Sequence, residues 1–170
     1  KNMEIKKKLA QNKIVQMNVV TDAQYLDVLE FIQSELKKIN INLKIEITPP
    51  SILRQGKAKG KYNFFRASWI ADYPNPENYF DLFYSKNKTP NGPNYTYFMN
   101  KKYDSVYNNL KDKRSNIEKS FEILENIIYN FSPIIPLYYD MSIRLIDKNI
   151  IGMSNNAINM LNLEEVEKLR

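Results

Sequence analysis

With 170 residues the chain suits one domain with its own core, and its 25 Lys and Arg against 19 Asp and Glu give a formal charge of +6. Cysteine and histidine are both absent, which excludes disulfides, thiolate metal sites, thiol nucleophiles and imidazole acid–base chemistry. Only four glycines are present, none of them in a Gly-rich phosphate loop.

The excess positive charge falls in short blocks such as Lys6-Lys7-Lys8 and Lys101-Lys102. Blocks of this size read as solvated faces rather than nucleic-acid grooves. No apolar run approaches the roughly 20 residues that span a bilayer, and any targeting signal or lipid anchor is expected outside these residues.

In chain order, Ile5 and Leu9 mark a short amphipathic helix over Lys1 to Gln11. An apolar strand follows from Ile14 to Val20. Thr21 with Gln24 three residues later has the form of a capping box. The helix it opens carries Tyr25, Val28, Leu29, Ile32, Leu36 and Ile39 on one face, and Leu43, Ile45 and Ile47 then alternate with charged residues as in a half-buried strand. This is a βαβ unit, whose strands run parallel if they share a sheet.

Pro49-Pro50 ends that strand and starts a short helix through Ile52 and Leu53. Tyr62 to Ile70 is expected as an aromatic-rich strand, broken by Pro74 and Pro76, with a helix from Glu77 to Ser85. Residues 86–97 read as loop. Tyr103, Val106, Tyr107 and Leu110 line the next helix. Phe121, Leu124 and Ile128 line another, opened by a Ser115–Glu118 capping box and closed by Pro133. A long strand is expected from Ile135 to Ile146, and a small helix from Leu163. The expectation is a single α/β domain.

The stretch that carries chemistry runs from Arg66 to Pro76. The chain's one tryptophan, Trp69, precedes Asp72 by three residues at a proline-punctuated turn. Strand ends of α/β sheets are where loops diverge around a ligand. An indole face offers stacking area, a carboxylate fixes an ammonium, and Arg66 can fork a carboxylate. The same residues also read as core packing for Trp69 and a turn bonding its own backbone for Asp72.

The run Ser68-Trp69-Ile70-Ala71-Asp72-Tyr73-Pro74-Asn75-Pro76 resembles the W-x-A-D-Y-x-x-P segment of the family 5 extracellular solute-binding proteins, which include the oligopeptide- and dipeptide-binding components of ABC importers. Lys6 to Ala10 resembles the family's K-x-L-L-A-like helix end. Ile32 to Ile41 resembles its I-Q-x-x-L-x-x-I-G-I stretch, with Asn40 in place of Gly. Asn94 to Asp104 resembles N-Y-x-x-Y-x-N-x-x-Y-D, and Pro133 to Tyr139 resembles A-P-I-I-P-L-Y-Y, with Ser132 replacing Ala.

The resemblance implies a periplasmic-binding-protein type II-like lobe, a mixed sheet flanked by helices. It implies the carboxy-terminal lobe of a two-lobed clamshell, monomeric, with the amino-terminal lobe missing here. The partners it implies are a peptide and the membrane permease, and the location is the periplasm or the outer face of the cytoplasmic membrane, with a lipid anchor in the full-length protein. By the same resemblance Asp72 holds a peptide α-ammonium and Trp69 packs beside it. Ile70 lies where backbone contacts are made, and Arg66 meets the peptide carboxylate. No catalytic residue, metal or cofactor is implied. Other members carry nickel complexes, haem or sugars. Two further readings are a carboxylate hydrolase using Asp72 and Asp81, and a nucleic-acid module stacking bases on Tyr95 and Tyr97.

Overall fold

The computed structural model describes residues 13–112, 116–139, 141, 143–156 and 160–169. The expected helix over Lys1 to Gln11, with the Lys6–Ala10 motif, lies outside them, as does Ser115. The chain divides into two compact units, Lys1–Ser68 with Lys88–Tyr97, and Trp69–Asn87 with Phe98–Arg170.

In the first unit, strands β1 (Val15–Thr21) and β2 (Ile41–Ile47) pair in parallel, with Val19 opposite Ile45. Helix α1 (Leu26–Lys37) connects them, so the βαβ unit forms as expected. Alternation along each strand turns Val19 and Leu43 toward Leu29 of α1, and Ile32, Leu36 and Phe64 close over this cluster. Each such buried aliphatic side chain contributes about 1.5–3 kcal/mol, which is what holds the helix on the strands. Asn40 takes the left-handed conformation at φ 61°, and its carbonyl accepts the Val15 amide at 2.8 Å.

The cap of this helical stretch differs from expectation. Thr21 is the last residue of β1 and wholly buried, while Asp22 Oδ1 accepts the Gln24 amide at 3.1 Å and opens a 3-10 turn, Ala23–Tyr25. Thr21 is committed to the ladder, its carbonyl accepting the Thr48 amide at 2.9 Å; the next acceptor along therefore caps.

Helix α2 (Pro50–Ala58) has Pro50 at its first turn, where a missing amide costs nothing. It buries Leu53 and Gly56. The expected strand over Tyr62 to Ile70 reduces to a single bridge. The Val20 amide bonds Phe64 O at 3.1 Å, and the Arg66 amide bonds Val20 O at 2.9 Å. β1 ends at Thr21, one residue past Val20, so the chain after Phe65 has no strand of β1 to continue along.

In the second unit, α3 (Glu77–Phe80) runs into a 3-10 turn at Asp81–Phe83. Helices α4 (Lys101–Lys111) and α5 (Ile117–Phe131) pack beside each other. Their shared core joins Phe80, Phe83, Tyr103, Tyr107, Leu124 and Ile127. Phe83, Phe98 and Tyr103 meet edge to face, the arrangement that ring quadrupoles favour.

Asn100 caps α4 through the Tyr103 amide at 3.0 Å, and Asn116 caps α5 through the Lys119 amide at 3.1 Å. The α5 cap is therefore Asn116 rather than the expected Ser115. Helix α5 ends in Ser132 at φ 46°, directly before Pro133.

Two carboxy-terminal expectations are corrected. Ile135 to Ile146 forms no ladder among the described residues, and Tyr139 and Leu145 are each 98% exposed. An extended segment without a partner cannot pair its amides as sheet. The helix expected from Leu163 is instead a turn leading into β4 (Glu167–Lys168), antiparallel to β3 (Ile150–Ile151). Gly152, at φ 79°, permits this, since a Cβ there would stand 1.8 Å from Glu165 O.

Candidate functional site

In the second unit, the segment after Trp69 is organised by one side chain. Asn78 sits on α3, only 3% exposed. Its Oδ1 accepts the Trp69 indole N–H at 2.7 Å and the Asp72 backbone amide at 3.4 Å. The proline-rich turn is closed separately, by Asn75 Oδ1 accepting the Glu77 amide at 2.9 Å. Trp69 and Asp72 are thus tied to a common acceptor, with Trp69 half-buried.

The Asp72 side chain is exposed and makes no hydrogen bond or ion pair among the described residues. The turn does not use it. Ile70, between the two, is 77% exposed. The arrangement offers an oriented indole, a free carboxylate and an apolar side chain to whatever approaches. It holds no nucleophile–base pair.

Arg66 belongs to the first unit. Its guanidinium carbon lies 3.0 Å from the centre of the Tyr25 ring, and its amide is fixed on Val20 at the carboxyl end of β1. Such a stacked guanidinium keeps its N–H fork in plane, ready for a bidentate acceptor.

The other carboxylate considered for hydrolysis is structural. Asp81 Oδ1 accepts from the Tyr107 hydroxyl, from Asn87 Nδ2 at 2.9 Å and from Lys111 Nζ at 3.4 Å. Burial, then the Asp81 hydrogen bond and charge, push the Tyr107 phenol far above its ordinary range. The aromatic platforms considered for bases are also engaged. Lys57 Nζ lies 5.6 Å from the Tyr95 ring centre, and Lys88 Nζ lies 4.5 Å from that of Tyr97. Among the described residues no group of three or more acidic side chains is arranged to hold a metal ion. No helix among them is long and apolar enough to cross a membrane.

Asn78 escaped the sequence reading, while Tyr25 reads there as part of an apolar helix face and Lys57 as one of a solvated lysine cluster. A polar residue two before the apolar Phe80 in a short helix is the one local sign of Asn78, since its partners lie six and nine residues away.

Residues 1–91 match the family model described as bacterial extracellular solute-binding proteins, family 5 Middle. The dipeptide-binding protein DppE of Bacillus subtilis is 24% identical over 153 residues, covering 87% of this chain and 27% of that protein. Among solved structures, the murein tripeptide binding protein MppA of Escherichia coli superposes with a TM-score of 0.80 at 20% identity, covering 99% of this chain and 35% of that one. Haemophilus influenzae OppA, in complex with RPPGFSPFR, gives 0.78 at 18% identity, with 99% and 35% covered. These likenesses show a periplasmic-binding-protein type II fold. The chain spans about a quarter to a third of the length of these relatives.

Proposed function

Because the chain belongs to the bacterial extracellular solute-binding proteins of family 5, we propose that residues 1–170 form the carboxy-terminal lobe of a protein that captures peptides for an ABC importer. The observation that carries this reading is the pairing of Trp69 and Asp72 on Asn78, which leaves the Asp72 carboxylate outward and uncommitted. An unpaired carboxylate beside an indole is the chemistry that receives the ammonium of an extended ligand.

In this reading Asp72 holds the α-ammonium, Trp69 packs beside it, and Ile70 lies against the ligand backbone. Arg66 meets a carboxylate. Main-chain hydrogen bonds supply affinity that is indifferent to side chains. Closure against an amino-terminal lobe then desolvates the ammonium–carboxylate pair, and the closed form docks on the permease.

No covalent step is involved, and the protein is not an enzyme. It works as a monomer outside the cytoplasmic membrane, held there by a lipid anchor. The exposed side chains of Ile135, Tyr139, Ile143 and Leu145 support the larger assembly, because so much exposed apolar surface marks a face that another part of the protein covers. The direct test is to purify the full-length protein and identify its retained ligands by mass spectrometry. Peptides bearing a free amino terminus are the expected finding. Retention of only sugars, haem or metal complexes would overturn the reading.

A further inference from the structure

The loop of residues 88–97, in the first unit, is anchored on both sides of its tip. Thr89, 5% exposed, donates its hydroxyl to Ala58 O at the end of α2 at 2.8 Å. Asn94 is wholly buried, its carbonyl accepts the Thr89 amide at 3.4 Å, and it bridges Lys88. Between these anchors the chain reverses through Pro90, Asn91, Gly92 and Pro93.

Asn91 stands exposed at that tip, and its side chain makes no hydrogen bond among the described residues. Its backbone amide is held by Lys88 O at 3.1 Å, whereas the Gly92 amide donates to no backbone carbonyl among the described residues. Asn91 is also the one asparagine of the chain that a glycine follows. Elsewhere a side chain shields the next backbone nitrogen, as Tyr95 does after Asn94 and Ile117 after Asn116. Several of those asparagines are also tied down, Asn78 by Trp69 and Asn100 and Asn116 by the helices they cap.

We propose that Asn91 is a site of spontaneous covalent modification, losing its side-chain amide to its own backbone. The Gly92 nitrogen, on giving up its proton, attacks Asn91 Cγ. The new C–N bond closes a five-membered succinimide as the Cγ–Nδ2 bond breaks, and the departing nitrogen takes up a proton and leaves as ammonia. Water then opens the ring at either carbonyl. One opening gives aspartate; the other gives isoaspartate, whose backbone runs through the former side chain. The balance is one amide and one water in, one carboxylate and one ammonium out. Gly92 makes this fast because it has no Cβ to obstruct its nitrogen, and a loop tip leaves both groups free to meet.

Both products put a negative charge on the tip. Isoaspartate also lengthens the backbone between Thr89 and Asn94, the span that their 3.4 Å bond closes. That product therefore loosens the grip of Thr89 on α2.

The test ages the full-length protein at physiological temperature, at neutral and mildly alkaline pH, and maps its peptides by mass spectrometry. The Asn91 peptide should gain the mass of an amide exchanged for an acid about tenfold or more faster than any other asparagine of residues 1–170. The rate should rise with pH, because the Gly92 nitrogen attacks without its proton. Asn91→Gln, whose ring would need a sixth member, should keep its amide over the same time. Electron-transfer fragmentation, which cleaves the two products differently, should find both aspartate and isoaspartate.

Earlier conversion of another asparagine would overturn the proposal, as would an Asn91 that keeps its amide or a rate indifferent to pH. Aspartate without isoaspartate would mean direct hydrolysis and would overturn the ring closure. Hydrogen exchange across residues 88–97 should quicken more in the aged protein than in Asn91→Asp, which carries the charge on an unaltered backbone. Equal exchange in the two would overturn the loosening of the loop.

Discussion

The indole N–H of Trp69 donates to Asn78 Oδ1 at 2.7 Å, and the same oxygen accepts the Asp72 amide at 3.4 Å. One buried amide side chain therefore sets both the ring and the backbone that carries the free carboxylate. Replacing Asn78 with Ala leaves the Trp69 N–H short of an acceptor. Stranding a half-buried donor costs about 1–3 kcal/mol. Chemical denaturation should show that loss, together with a change in Trp69 fluorescence. Asn78→Asp, which keeps an acceptor oxygen, should leave the Trp69 spectrum closer to the original.

Much of the first unit was legible from residue pattern. The alternation of Leu43 and Ile45 and the stripe through Leu29, Ile32 and Leu36 report local periodicities, and they place β2 and α1 where they occur. Trp69 and Asp72 stood out because a lone Trp and a proline-bounded acid are conspicuous. Asn78 did not, because its role depends on partners six and nine residues back. The same limit explains Tyr62 to Ile70 and Ile135 to Ile146. Their β-prone side chains are local, but strand formation needs a partner that no local pattern specifies. At Thr21 and Ser115 the capping signature was displaced by one residue, onto Asp22 and Asn116, whose side-chain oxygens accept the amides.

The tyrosines of the second unit predict an alkaline limit to stability. Tyr103 and Tyr107 are fully buried, and burial, aided by the Asp81 charge, raises both phenols above their ordinary value of 10.0. Below that value both folded and unfolded forms keep the proton, so the contribution is complete. Above it the unfolded chain ionises while the folded one does not, and stability falls as pH rises. Urea unfolding should give midpoints that decline above about pH 10. Tyr103→Phe combined with Tyr107→Phe should flatten that slope while lowering stability near neutrality, because Tyr103 also bonds Phe80 O at 2.7 Å.

The exposed run around Ile143 and Leu145 makes a different prediction. If another part of the full-length protein covers it, the amides of Ile135, Leu137, Tyr139, Ile143 and Leu145 should exchange quickly in the isolated chain and slowly in the whole protein. Hydrogen exchange read by mass spectrometry distinguishes the two cases. Equal, fast exchange in both would mean that the run stays uncovered, and the lobe assignment would lose its support there.

The central claim is that Asp72 receives a ligand ammonium, and a double comparison in the full-length protein tests it most directly. Peptides with free and acetylated amino termini are titrated against the unmodified protein and against Asp72→Asn. Removing one partner of a buried charge pair typically costs about 2–5 kcal/mol, roughly 30-fold to several thousand-fold in affinity. The unmodified protein should prefer the free amine by a factor in that range. In Asp72→Asn the free-amine peptide should weaken far more than the acetylated one, so the gap narrows. A preference for the free amine that persists undiminished in Asp72→Asn would contradict the assignment.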